Sequence, residues 1–273
     1  MRHDISRRAA AHASSYRRAR AGARALPIAA LTAAVFVSPS AIAAPPLITE
    51  DGGSADQSEL EVELWIEGVR GPGEHFGLAA VEAAFGVTDR LELAAATGVG
   101  VDDDSNLTVP NPYGHIKLEL FRGEEGQPTV GAMGFIVAPA GTGVAYGEEV
   151  AAAAVVPVTL EFAGGAVATH ANLGISSTLT GDREARAFWG VAAEADIPST
   201  QASSFLEATA GDPMDPAGPR LGAQGGLYWG LGDGFGVDLA LGAMTDPGNG
   251  DELEWIGRLG VSVATHVGSE RDD

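Results

Sequence analysis

The chain has 273 residues, with 16 Lys+Arg against 37 Asp+Glu, a formal net charge of −21 and no cysteine. A polyanion of this kind repels nucleic acid, which excludes DNA and RNA as partners, and the missing cysteine excludes disulfide staples and a lipidated-cysteine anchor. Mean hydropathy is near neutral at +0.08, and no stretch after residue 43 holds 18 continuous apolar residues, so that part carries no helical membrane span.

Residues 1–43 read as a signal peptide. Met1–Arg24 carries seven Arg and one Asp, an apolar run follows from Leu26 to Val37, and Ala41-x-Ala43 supplies small residues at a cleavage site. Basic, apolar, small is the order of a secretory signal. The run of twelve is short of the roughly 20 residues a spanning helix needs. Ser6-Arg7-Arg8 has a twin-arginine look, but Ala9 and Ala10 stand where such signals carry a bulky apolar residue. Export through the Sec pathway with a cut after Ala43 is the expectation. The leader takes seven of the 16 cations and one of the 37 carboxylates, leaving nine cations against 36 carboxylates. Residues 44–57 are rich in Pro, Gly and acid and show no period, which suits a periplasmic arm or a plug.

From residue 58 apolar residues recur at every second position in twelve segments: 58–70, 75–86, 90–101, 113–122, 128–139, 148–162, 166–178, 184–196, 201–210, 220–231, 235–244 and 252–265. Alternation of this kind marks a strand whose two faces meet different surroundings. Leu60, Val62, Leu64 and Ile66 alternate with Glu59, Glu61, Glu63 and Glu67. Ile116, Leu118 and Leu120 alternate with His115, Lys117, Glu119 and Phe121. The Ala-rich stretch Val150–Val156 suits a helix on propensity, but its alternating neighbours and missing caps assign it to a strand.

Connections after odd-numbered segments are the longer set, for example Asp102–Pro112, Ala140–Gly147 and Gly211–Pro219. Those after even-numbered segments, such as Val87–Asp89, Ala163–Gly165 and Gly232–Gly234, are tight and carry reverse-turn residues. An even strand count with long outer loops and short periplasmic turns describes an outer-membrane barrel. The expected fold is all-β: a single antiparallel up-and-down transmembrane β-barrel of about 12 strands over 58–266, preceded by a signal peptide and a short arm, with a polar tail at 267–273. Both termini fall on the periplasmic side.

The polar phase, if it faces the lumen, is acidic. Its charged candidates are Glu59, Glu61, Glu63, Glu67, Arg90, Glu92, Lys117, Glu119, Arg186, Glu194, Arg220, Asp238, Glu254 and Arg258, and Glu82, Glu149, Glu161, Asp196 and Glu207 share the phase with His115, His170, Asn172, Gln224 and Tyr228. Two readings stand. The charges form salt bridges that hold a small lumen shut, or they make an electronegative passage that favours cations and neutral solutes. Eight strands leave an interior that side chains fill and sixteen leave a water channel, so twelve imply a narrow or gated passage. The acidic outer runs Asp102–Asn106 and Asp246–Asp251 hold oxygen ligands of the kind calcium uses, without the spacing of a calcium loop, and read as solvated loops. His75, His115, His170 and His266 lack metal-ligand spacing. His170 near Ser176 has no nucleophile turn around it, and Gly230–Gly236 precedes no phosphate-binding helix. The expectation is a non-enzyme with no cofactor and no metal site.

One set of motifs carries a resemblance. Pro45-Pro46-Leu47-Ile48-Thr49-Glu50-Asp51 follows the leader, the first strand reads SELEVELWIEG, and Phe85-Gly86-Val87-Thr88-Asp89-Arg90-Leu91-Glu92-Leu93 spans a tight hairpin. This order resembles the outer-membrane MetA-pathway-of-phenol-degradation transporter family. The resemblance implies a barrel of about twelve strands and passage of small molecules, aromatic or hydrophobic ones included. It supplies no catalytic residues. Outer-membrane barrels commonly end in an aromatic residue that assists assembly; here Val261-Ser262-Val263-Ala264-Thr265 and a polar tail stand in that place. Trp65, Trp189, Trp229 and Trp255 are the indoles available as interface anchors.

The functional expectation is passage of small solutes through an acidic, narrow lumen, with outer-membrane lipid, the barrel-assembly machinery and a small-molecule solute as partners. The alternative is an exported, non-conducting structural or adhesive barrel with acidic loops. N-terminal sequencing of the exported protein is expected to begin at Ala44; a start before Ile28 would remove the Sec reading.

Overall fold

The computed structural model describes residues 49–71, 75–143, 148–181, 185–213, 221–232, 234–246 and 252–267. Residues 1–48, the expected leader among them, and the tail from 268 lie outside the described residues. The strands are β1 (Glu59–Arg70), β2 (His75–Thr88), β3 (Leu91–Asp102), β4 (Leu107–Thr108), β5 (Tyr113–Phe121), β6 (Pro128–Val137), β7 (Ala151–Phe162), β8 (Val167–Thr178), β9 (Ala185–Asp196), β10 (Ala202–Ala210), β11 (Leu221–Gly232), β12 (Phe235–Asp246) and β13 (Glu252–His266).

All of them except β4 pair antiparallel with two neighbours, and β1 closes the ring against β13 in a register from Glu59↔His266 to Arg70↔Trp255. The wall is therefore a closed barrel of twelve strands. The thirteenth, β4, is a two-residue addition that pairs Thr108 and Leu107 with Gly100 and Val101 at the outer end of β3. The wall is low at β5 and β6, of nine and ten residues. There β3 meets β5 only from Leu91 to Ala96, and a bridge between Val109 and Thr142 joins the two outer loops above them.

The period-two pattern sorts side chains as a membrane barrel requires. Outward positions are apolar and open: Leu173 is 67% exposed, Leu206 72% and Leu241 66%. Of the four tryptophans, Trp189, Trp229 and Trp255 also point outward and are exposed. Large apolar side chains left this open in water would forfeit roughly 1.5–3 kcal/mol each relative to burial. Against lipid they lose nothing. Inward positions hold the buried polar residues, among them Glu92, Lys117, Glu119, His170 and Asp238. One inner sector is apolar: Met133, Phe135, Ala153, Val155 and Phe188 form a cluster, with Tyr113 packed against it.

Three registers shift by one residue, between Gly86 and Thr88, Glu119 and Phe121, and Gly230 and Gly232. Each shift sits at the short-turn rim, a usual place for bulges in barrels. The second corrects the expected phase: Phe121 no longer follows Glu119 inward and is 49% exposed. The first lets β2 run on through Thr88, so Asp89 and Arg90 form the turn and β3 starts at Leu91.

A cation on the outward face should cost stability by depth. Leu173→Arg, Leu206→Arg and Leu241→Arg, all mid-strand, are expected to cost roughly 2–4 kcal/mol each, and Leu253→Arg at the outer rim roughly 0–1 kcal/mol. Reversible folding into lipid vesicles measures this; equal costs at all four positions would argue against a membrane around the barrel.

Candidate functional site

The site is the lumen, and the residues 49–57 run inside it. Ser58 adopts a positive φ of 65°, and a tight set of bonds turns the chain there. Ser58 N–H donates to the Gly86 carbonyl (2.8 Å) and Glu59 N–H to the Asp56 carbonyl (3.0 Å), while Glu59 Oε2 accepts from Asp56 N–H (3.0 Å). The segment then passes close to the wall. A Cβ at Gly86 would collide with the Asp56 carbonyl, and one at Gly52 with the Thr129 carbonyl.

Four strands grip its backbone. Ala55 N–H donates to Glu92 Oε2 on β3 (2.8 Å) and Gly52 N–H to Thr159 Oγ1 on β7 (2.8 Å). Asn172 on β8 accepts from Glu50 N–H (2.6 Å) and donates to the Glu50 carbonyl (2.9 Å). Thr49 N–H donates to the Glu207 carboxylate on β10. These bonds satisfy backbone donors that an irregular segment inside a barrel would otherwise leave unpaired, each at a cost of about 1–3 kcal/mol. Lys117 on β5 adds charge. Its ammonium lies 2.5 Å from Asp51 and 3.6 Å from Glu50, and the side chain is almost fully buried.

A second ring of contacts holds these groups in place. His115 Nε2 lies 3.1 Å from Glu92. His170 Nδ1 shares a hydrogen bond with Thr159 Oγ1 (2.9 Å), and its Nε2 lies 3.1 Å from Glu194. Gln224 donates to Glu207. At the foot, Arg122 donates to both oxygens of Glu119 (2.9 and 2.8 Å). Higher up, Arg258 reaches Glu63 (3.3 Å) and lies 4.5 Å over the ring of Trp65, while Tyr113 donates to Glu82.

The expected charged positions fall as follows. Glu59, Glu92, Lys117, Glu119 and Asp238 are buried on the inner face, and Glu61, Glu63, Glu67, Arg186, Glu194, Glu254 and Arg258 are half-buried on it. Arg90 is exposed in the turn 89–90, off the wall. Arg220 lies outside the described residues. The set of expected residues omits Trp65, Arg122 and Thr159, and the arm's own Glu50 and Asp51. Trp65 was legible as an inward residue, because its odd number puts it in phase with Glu63 and Glu67; as an interface anchor it is misplaced.

The charge is uneven around the ring. From β12 through β13, β1 and β2 to β3 the inner face carries Glu59, Glu61, Glu63, Glu67, Glu82, Glu92, Asp238 and Glu254, with Arg258 the one cation among the described residues there. Further round the ring, separated from β3 by β5, β6 and β7 turn Gly131, Met133, Phe135, Val137, Ala151, Ala153, Val155 and Pro157 inward. A small cavity of about 10 Å³, room for roughly one water, lies against the arm, lined by Thr49, Glu50, Phe135, Val155, Asn172 and Phe188 among others.

No protein-family model and no curated protein matches the chain. Solved structures do. An outer membrane channel from Pseudomonas putida F1 is 12% identical with a TM-score of 0.58, covering 78% of this chain and 98% of that one. The KdgM porin, solved in complex with disordered oligogalacturonate, is 7% identical with a TM-score of 0.52, covering 74% of this chain and 98% of its own. At such identities the likeness is one of fold: the chain shares the barrel of outer-membrane channels and porins.

Lys117 is expected to be the electrostatic hold on the arm. The chain has no cysteine, so Ala55→Cys reports the arm's release alone. In Lys117→Met a soluble maleimide should label that cysteine at least ~10-fold faster, since breaking a buried pair costs several kcal/mol. Unchanged labelling would assign the hold to the backbone bonds.

Proposed function

We propose that the protein is an outer-membrane barrel that passes small solutes through a narrow, acidic lumen, with its own N-terminal arm as a plug at the periplasmic foot. The observation that carries this reading is the inverted distribution of polarity, apolar outside and ionisable inside, around a segment threaded through the middle. Hydrocarbon leaves no unpaired backbone edge unpunished, and a closed ring is the sheet that meets the condition. The barrel shared with outer-membrane channels supports the class. The motifs at Pro45–Asp51 and Phe85–Leu93 support membership of the MetA-pathway-of-phenol-degradation transporter family, and with it small aromatic or hydrophobic solutes. Sec export with a cut after Ala43, insertion by the barrel-assembly machinery and periplasmic termini complete the reading.

The plug favours one rival, a non-conducting structural barrel, because a lumen that never empties passes nothing. Planar bilayers separate the two. Full-length protein is expected to prefer K⁺ over Cl⁻, and the preference should weaken as screening shortens from about 10 Å at 0.1 M salt to about 3 Å at 1 M. Glu61→Gln with Glu63→Gln should reduce it, and deletion of residues 44–57 should raise conductance. Anion preference would overturn the acidic-lumen reading. Silence from both the full-length and the arm-deleted protein would establish the structural rival. Uptake of small aromatic compounds by cells with and without the gene tests the solute class.

A further inference from the structure

We infer that the outer rim of the barrel carries a docking site for a phosphate-bearing lipid of the surrounding leaflet, on the lipid-facing side of β13, β1 and β2. The inference rests on the reading of the chain as an outer-membrane barrel and is independent of what the lumen passes. It starts from a charge. Among the outward positions of the described strands Arg70 alone carries one; apart from His75, the others hold apolar, small or hydroxyl residues. Arg70 is exposed at the last position of β1, and its side chain has no hydrogen-bond or ion-pair partner among the described residues.

The neighbours of Arg70 fix its level in the membrane. Trp255 on β13 stands directly opposite on one side and His75 on β2 on the other. Residues so opposed hold their Cβ atoms about 4.5–5.5 Å apart, so indole, guanidinium and imidazole form one outward row across three strands. Trp255 is 60% exposed. Indoles facing lipid concentrate at the boundary between hydrocarbon and headgroups, where lipid phosphates lie. A guanidinium at that depth presents a fork of donors that a phosphate accepts bidentately. The charge balance points the same way. The rim above is acidic, with Asp103 and Asp104 exposed, and Asp103 accepts from the His75 main-chain N–H (2.8 Å). Such a rim repels an anionic leaflet, and Arg70 is the counter-charge that faces it.

The surface beneath this row suits the other end of a lipid. One step toward the membrane interior, Gly257, Gly68 and Gly77 oppose one another on the same three strands. A Cβ at Gly68 would meet nothing within 4 Å, and one at Gly77 or Gly257 would meet only Val101 (3.9 Å) or Leu241 (3.5 Å). Strands lie about 4.8 Å apart, so bare backbone makes a trough two strand spacings wide. Val101 and Leu241 wall it, and Ile66 and Leu259 close it below, all four exposed. A headgroup phosphate on Arg70 places the first carbons of its acyl chains in that trough. Free phosphate would use the row and leave the trough empty, so the shape commits the site to a lipid.

The test uses full-length protein, stripped of lipid in a nonionic detergent, with binding read by native mass spectrometry. The folded barrel is selected by its compact gel migration before heating. Three probes share dioleoyl chains: phosphatidic acid bears a phosphate monoester, phosphatidylcholine screens its phosphate with a cation, and diacylglycerol has none. Retention of phosphatidic acid is expected at least ~5-fold above either control. Arg70→Gln should remove that preference, and Arg70→Lys, with charge but no fork, should keep only part of it. Gly68→Leu, which fills the trough and leaves Arg70 in place, should lower phosphatidic acid binding about 3-fold or more. An unchanged preference in Arg70→Gln, equal binding of phosphatidylcholine, or displacement of the lipid by inorganic phosphate at matched concentration overturns the inference. A membrane-inserted barrel without the preference sinks the lipid site alone, whereas recovery of the chain from the soluble periplasm sinks the membrane reading beneath it.

Discussion

Closure is the constraint on which the rest of this structure depends. A strand facing hydrocarbon has no water to satisfy its backbone, so the ladder must run without an edge. Here the ring is sealed by β1 against β13 over the full length of β1. Up-and-down closure with twelve strands has a geometric result: first and last strands are antiparallel neighbours, so Glu59 and His266 meet at one rim. The chain entering β1 arrives at the rim of short turns. A segment arriving there can turn away from the barrel or into it, and the turn at Ser58 sends it in. The arm's position inside the lumen is therefore a product of topology before it is a product of any contact.

Inside the ring, electrostatics at close quarters takes over. Carboxylates crowd β1, β2 and β3, and the wall supplies few cations to answer them. Lys117 answers two carboxylates from the arm and Arg258 answers one from β1, leaving a net field over one half of the lumen. The inner faces of β6 and β7, from Gly131 to Val137 and from Ala151 to Pro157, are without charge. Polar backbone from the arm serves as counterpart to Glu92 and Glu207, which accept its N–H groups. Acidic side chains thus do two kinds of work: some hold main chain, and the rest shape the potential.

Much of this was legible from alternation. The even phase of Leu60 to Ile66 and the odd phase of Leu91 to Val99 state which face meets lipid, and a slip of one residue would reverse every one of them. Hence the strands fall within a few residues of their expected places. What alternation cannot carry is irregularity. The bulge after Glu119 is a local insertion without a compositional mark, and it turns Phe121 outward. The two residues of β4 are too few to show a period. Residue type alone marks Trp65 as an interface anchor, although its phase says otherwise. The arm is the largest case. Its residues have no period, and its partners Thr159, Asn172 and Glu207 are scattered over three strands, so their convergence exists only in the closed ring. The grouping of an apolar sector on β6 and β7 is of the same kind: each strand shows its own inward residues, but which strands become neighbours is set by the pairing of the closed ring.

The grip on the arm is a grip on main chain. Thr49, Glu50, Gly52 and Ala55 are held by N–H and carbonyl groups that any residue but proline would offer; side-chain charge comes from Asp51 and Glu50, to Lys117, and from Asp56, to Arg122. Recognition of this sort is blind to identity. Along the segment, drift in composition is tolerated wherever size permits, with Gly52 the exception because the wall leaves no room for a Cβ. The information that fixes the segment is written in the wall, at Glu92, Thr159, Asn172 and Glu207. A lineage could retune how firmly the lumen is stoppered by changing one wall residue at a time, without a compensating change in the stopper.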